Sequence, residues 1–198
     1  MDEKTFGPHH PDLATNLNGR AQLLKLQGNY ADARQLLERA LTIHEKSLGP
    51  EHPAVAESLN DRAVVCEKQG NYIDAESLCE RSQAIREKVL GPEHPDVVQS
   101  LNTRAELLRV QGRYSEAEPM YVRAIAIGEK VLGKDHPDLA GWLNNALPTL
   151  LTCLPVTFQG QFAEAKPLCR RATKIWETAL GPEHPNVATA LNNLGWGC

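Results

Sequence analysis

Apolar and small residues recur along this chain at helical spacing, broken at regular intervals by glycine and proline. After Pro53 they fall at Val55, Ala56, Leu59, Ala63 and Cys66. That i, i+3, i+4 spacing predicts a helix with one buried stripe. Pro53 suits its first position, where a missing N–H costs nothing. Gln69-Gly70-Asn71 ends it, with Gly70 free to take a left-handed turn. A second helix is predicted from Tyr72, with Asp74 and Glu76 near its positive amino end. Its inner face carries Ala75, Leu78, Cys79, Ser82 and Ile85, and it closes at Leu90-Gly91 because the Gly-Pro that follows cannot continue it.

The helix pair is repeated. Gly-Pro-x-His-Pro begins at Gly7, Gly49, Gly91 and Gly181, and a variant begins at Gly133. The first four marks stand 42 residues apart and the last interval is 48. A fixed period in this range signals one supersecondary unit stacked on copies of itself. The repeats are expected at about 7–48, 49–90, 91–132 and 133–180, with a partial repeat at 181–198, in a single repeat domain over 1–198. Ala33, Ala75, Ala117 and Ala165 mark a close helix–helix approach, and Tyr30, Tyr72, Tyr114 and Phe162 are expected to pack into the turn. Pro119 and Pro167 are expected in the opening turn of their helices, where donors are still unpaired. The fourth repeat has six extra residues, in an insertion near 146–158. With Pro148 and Pro155 inside it, the first helix there is expected to break and loop out.

Composition narrows the function. A formal charge of −4 and a pI near 6.0 argue against nucleic acid as the main partner. Five cysteines (Cys66, Cys79, Cys153, Cys169 and Cys198), without zinc-ligand spacing, fit free thiols in a reducing compartment. Cys66 and Cys79 are expected to be buried thiols rather than a redox pair. The longest apolar stretch, Leu147 to Val156, is short and holds two prolines, so no membrane span is expected, and localisation is read as cytoplasmic. His10, His52, His94, His136 and His184 lie in separate repeats, too far apart to converge on one metal, and read as turn or cap residues. No phosphate loop or catalytic constellation is present in the sequence, so neither enzyme activity nor a cofactor is expected.

A helix-turn-helix with alanine contacts and a glycine turn resembles the tetratricopeptide repeat. The stretches Ala84-Ile85-Arg86-Glu87-Lys88-Val89-Leu90-Gly91 and Glu116-Ala117-Glu118-Pro119 are similar to repeats of kinesin light chains. So are Gly133-Lys134-Asp135-His136-Pro137-Asp138 and Leu143-Asn144-Asn145, and nephrocystin-3-like proteins carry the same unit. The resemblance covers essentially the whole chain. It implies an all-α, right-handed α-solenoid whose first helices line a concave, peptide-binding groove.

Helix angles of about 100° per residue locate that face. Leu17, Ala21 and Leu24 form the core stripe of repeat one, and Thr15, Asn18, Gln22 and Lys25 lie about a third of a turn away. The equivalents are Glu57, Asn60, Val64 and Glu67, then Gln99, Asn102, Glu106 and Arg109. Asparagine recurs at Asn18, Asn60, Asn102, Asn144 and Asn192. It is a poor mid-helix residue, and its amide either pins an extended peptide or bonds a neighbouring repeat. Kinesin light chains favour acidic peptides, but Lys25 and Arg109 are offset here by Glu57, Glu67 and Glu106, so a polar or mixed-charge segment is expected. Arg20, Arg62 and Arg104 lie off this stripe and are expected to pair with carboxylates of the adjacent helix.

The expected function is a non-catalytic scaffold binding a peptide or helix of a partner protein. The alternative is a cargo adaptor, or the sensor arm of a larger signalling protein. The chain reads as opening on the tail of a preceding second helix and ending inside a first helix. Leu191, Leu194 and Trp196 would then leave an uncapped end open to self-association.

Overall fold

The computed structural model describes residues 10–153 and 158–195 of the chain. The expectations for the segment before His10, for Phe162 and for the Leu194 and Trp196 surface lie outside the residues or side chains described. Nine α-helices form the described part: α1 (Pro11–Leu26), α2 (Tyr30–Leu48), α3 (Pro53–Lys68), α4 (Tyr72–Leu90), α5 (Pro95–Val110), α6 (Tyr114–Leu132), α7 (Pro137–Cys153), α8 (Phe158–Leu180) and α9 (Pro185–Gly195). Odd-numbered helices open the repeats and even-numbered ones close them.

Local chemistry sets the ends of these helices. Proline at the first helical position leaves the next N–H as the first donor in need of a partner. In four repeats histidine supplies it: Nδ1 of His10, His52, His94 and His184 accepts from the backbone N–H of Asp12, Ala54, Asp96 and Asn186 at 3.1–3.2 Å. The second helices start differently. Asn29 Oδ1 accepts from the Asp32 N–H at 3.3 Å, and Asn71 Oδ1 from the Asp74 N–H at 3.4 Å. Asn71 is therefore a cap for α4 and not merely part of the stop before it. Gly70, at φ +76°, makes the turn between α3 and α4 that a β-carbon would strain.

The chain divides into two compact units, residues 1–107 and 108–198, with the boundary inside α5. In the first unit, Leu13, Ala14 and Leu17 of α1 pack with Ala40 and Ile43 of α2, and Leu41 packs with Val55, Ala56, Leu59 and Ile85. Cys66 and Cys79 are buried free thiols in one cluster with Ala63, Ala75 and Leu107. Burial pushes both thiols up, Cys79 to about 12, so they act as small apolar side chains. In the second unit, Leu139, Ala140 and Leu143 of α7 pack with Ala172, Ile175 and Trp176 of α8 and with Val187 and Ala190 of α9.

Two proline expectations are corrected. Pro119 and Pro167 stand inside α6 and α8, beyond the opening turn, and both are exposed. Water can solvate a carbonyl freed on an exposed face, which makes the lost helical bond tolerable. The first helix of repeat four also does not break at Asn145. α7 runs through Pro148 to Cys153, and the extra residues are spread out. α7 is one residue longer than α5, the segment before the next helix is one longer, and α8 is four longer than α6. The four residues added to α8 are about one helical turn.

Candidate functional site

The polar stripe of the first unit faces the next repeat as well as solvent. Asn18 is buried, and its Nδ2 donates to Ser58 Oγ of α3 at 3.0 Å. Ser58 in turn lies 3.0 Å from Nδ1 of the buried His44. The hydroxyl accepts from Asn18 and also hydrogen-bonds the imidazole, whose tautomer sets which of the two donates. Burial holds His44 below its ordinary pKa. The His52 charge adds to that, and the backbone carbonyls of Pro11 and Ala54 oppose it.

One turn further along α1, Gln22 Nε2 and Lys25 Nζ both donate to Asp61 Oδ1, at 2.5 and 3.0 Å. The Lys25 and Asp61 side chains are only 14% and 9% exposed. A pair this dry with two donors on one carboxylate fixes the geometry of the stripe, and removal of either partner would strand a buried charge. Asp61 is a residue that sequence reasoning missed. Its equivalents are Gly19, Thr103 and Asn145, so the periodic pattern hides it.

The remaining candidates fall as follows. Asn60 is buried in α3, with Val64 and Glu67 half-buried beside it and Glu67 Oε1 accepting from Lys68 Nζ at 3.1 Å. Asn102 and Glu106 are half-buried on α5 in the first unit. Arg109 on α5 and Asn144 on α7 are half-buried in the second. Oδ1 of Asn18, Asn60 and Asn102 is buried in each case and accepts no hydrogen bond from the described residues. Desolvation raises the Glu57 carboxyl, and the neighbouring Asp61 charge adds to the rise.

The arginine ladder behaves as its helix angle predicts. Arg62 Nη2 donates to Glu38 Oε1 at 2.9 Å and Arg104 Nη2 to Glu80 Oε1 at 2.6 Å, each on the preceding second helix. Arg20, the first rung, is exposed.

A further set of junction residues varies in step. His44, Arg86, Gly128 and Trp176 are equivalent, and so are Ser58, Ser100, Trp142 and Ala190. His44 meets Ser58. Arg86 Nη1 donates to Ser100 Oγ at 2.8 Å and to the Asp96 carbonyl, while Nη2 donates to Gln99 Oε1. Burial lowers the Arg86 pKa against the opposing pull of Asp96, Glu57 and Asp61. At the next pair the sizes invert: a β-carbon on Gly128 would stand 2.3 Å from the Trp142 ring. Trp176 and the small Ala190 then share one core cluster.

Paired helices closed by a glycine turn, with an alanine buried at one point of the second helix, match a model of the tetratricopeptide repeat over residues 1–46, 12–72, 55–130, 98–146 and 157–198. The chain belongs to the tetratricopeptide repeat family. Among solved structures, this tetratricopeptide chain is similar to a Podosopora anserina protein described as a kinesin light chain with nearly identical TPR-like repeats. The identity is 26% and the TM-score 0.76, over 95% of this chain and 86% of that one. A single-substitution variant of that protein aligns with a TM-score of 0.77 over the same shares. BtubC (BKLC) from P. vanneervenii shares the fold at 19% identity and a TM-score of 0.78, over 94% of this chain and 72% of that one. No curated protein sequence is significantly similar to this one. The all-α architecture of helix-turn-helix repeats is that of the family, and tetratricopeptide repeats generally mediate protein–protein interaction. No described helix is long and apolar enough to cross a membrane.

Proposed function

We propose that this tetratricopeptide chain is a non-catalytic scaffold whose first-helix stripe in residues 10–107 receives a polar or mixed-charge segment of a partner protein. The observation that carries this reading is the register of carboxamides at Asn18, Asn60 and Asn102, whose Oδ1 atoms have no donor among the described residues. A buried acceptor left unpaired costs about 1–3 kcal/mol, and an extended peptide that opens the stripe brings backbone N–H donors at regular intervals. The stripe is held in place beforehand by the Gln22 and Lys25 bonds to Asp61, which lowers the ordering cost of binding. Along the stripe Lys25 is outnumbered by Glu57, Glu67 and Glu106, a balance that does not select an acidic ligand. A cargo-adaptor role is a second reading, favoured by the similarity to the Podosopora anserina protein.

The test is a selection of peptides from a proteome-derived display library, run on the parent and on the Asn60→Leu/Asn102→Leu variant. Peptides recovered by the parent and lost by the variant are the expected result. Recovery of the same set by both would overturn the assignment of the stripe.

A further inference from the structure

In the second repeat a lysine closes the edge between the second helix and the loop that opens the same repeat. Lys88 Nζ of α4 donates to Glu51 Oε1 at 2.5 Å. The fourth repeat keeps the acid, as Asp135, but not the lysine. Thr178 stands in α8 where the earlier second helices carry Lys46, Lys88 and Lys130, and Ala179 stands where α4 and α6 carry Val89 and Val131. With both side chains shortened, this edge is a cavity of about 280 Å³ lined by Asp135, Arg171, Lys174, Ile175, Thr178 and Ala179. All of these residues belong to the second unit, so the cavity is a separate site from the stripe of residues 10–107.

Its walls carry opposite charges that do not meet. Lys174 replaces Thr42, Ala84 and Ala126 of the earlier helices, so the cation has moved about one turn back along α8. Neither its ammonium nor the Asp135 carboxylate has a partner among the described residues. Arg171 is already engaged: Nη1 donates to Glu129 Oε1, and Nη2 donates to the Lys134 carbonyl at 2.6 Å. The second of these bonds ties the loop to α8 at the residue before Asp135, which fixes the backbone that carries the carboxylate. Thr178 Oγ1 donates to the Lys174 carbonyl at 2.8 Å. Its proton is thereby used, and its oxygen faces a ligand as an acceptor. The buried Ile175 and the small Ala179 supply the aliphatic part of the wall.

We propose that this cavity binds a free amino acid, with its ammonium on Asp135 and the Thr178 oxygen, its carboxylate on Lys174, and an aliphatic side chain against Ile175 and Ala179. The ammonium takes the part on Asp135 that Lys88 Nζ plays on Glu51. A ligand with a single charge would satisfy one wall and leave the other unpaired. The volume falls just below the range of about 300–1,000 Å³ that holds drug-sized ligands, which suits an amino acid and not a nucleotide.

The probe is L-leucine, titrated into the isotope-labelled full chain while the amide signals of Asp135 and Thr178 are followed by NMR. Both signals are expected to move to saturation at about millimolar concentration. 3-Methylbutylamine, which lacks the carboxylate, and 4-methylpentanoate, which lacks the ammonium, should each bind about tenfold more weakly. Asp135→Asn should weaken leucine by about the same factor. Lys174→Ala, which installs the residue of α4 and α6, should bring leucine down to the affinity of 3-methylbutylamine. Thr178→Lys, which restores the residue of the other second helices, should abolish binding with the helical circular dichroism unchanged. Absence of saturable shifts, equal affinity for leucine and either singly charged analogue, or undiminished binding by Thr178→Lys would each overturn the proposal.

Discussion

His44 concentrates the chemistry of the first junction in one side chain. It is buried, desolvation lowers its pKa, and it shares a hydrogen bond with a serine already engaged by Asn18. Its folded pKa is depressed, so at neutral pH and above both the folded and unfolded forms are neutral and the group costs no stability. As pH falls through the ordinary imidazole value, the unfolded chain binds the proton first, and stability falls until the folded group also titrates. Unfolding free energies measured from about pH 8 to about pH 5 should therefore drop more steeply for the parent than for His44→Gln. Parallel curves would show that His44 does not couple to folding. The histidine caps were legible as turn or cap residues because they repeat with the proline beside them. His44, Asp61 and Arg86 were not, because each has a different residue at its equivalent positions, and a reading based on periodicity discards what does not repeat.

At the level of elements, helices α6 and α7 meet through an inversion of size. Gly128 lies where α2 and α4 carry His44 and Arg86, and the indole of Trp142 occupies the room that Gly128 leaves. Glycine to alanine within a helix ordinarily stabilises by about 0.5–1 kcal/mol, whereas overpacking costs about 1–3 kcal/mol. Denaturant unfolding should therefore show Gly128→Ala more destabilising in the parent than in the Trp142→Ser background, where the Leu139 side chain at 3.1 Å is the remaining close neighbour. An equal effect in both backgrounds would contradict the fit. The helix pairs themselves were readable from the alternation of apolar stripes, glycine turns and Gly-Pro stops. Where the prolines fall was not. Pro119, Pro148 and Pro167 all sit inside helices, and at the exposed Pro119 and Pro167 water can take the place of the single lost backbone bond. The extra residues of repeat four were visible as a count, but their division among α7, α8 and the segment between was not.

For the molecule as a whole, the family identity fixes the kind of surface to look for and leaves its chemistry to individual residues. The polar stripe proposed from the sequence holds side chains in the first unit that already serve the stack, through Asn18 on Ser58 and through Gln22 and Lys25 on Asp61. In the proposed reading stacking and binding draw on the two ends of the same carboxamide: at Asn18 the Nδ2 is used between repeats, while the Oδ1 has no donor among the described residues. The most direct test follows the side-chain NH2 signals of Gln22, Asn60 and Asn102 by NMR while a peptide from the library selection is titrated into the labelled chain. The account expects these signals to move together to saturation at one peptide per chain. Movement confined to the second helices α2 and α4, with the carboxamide signals unchanged, would contradict it.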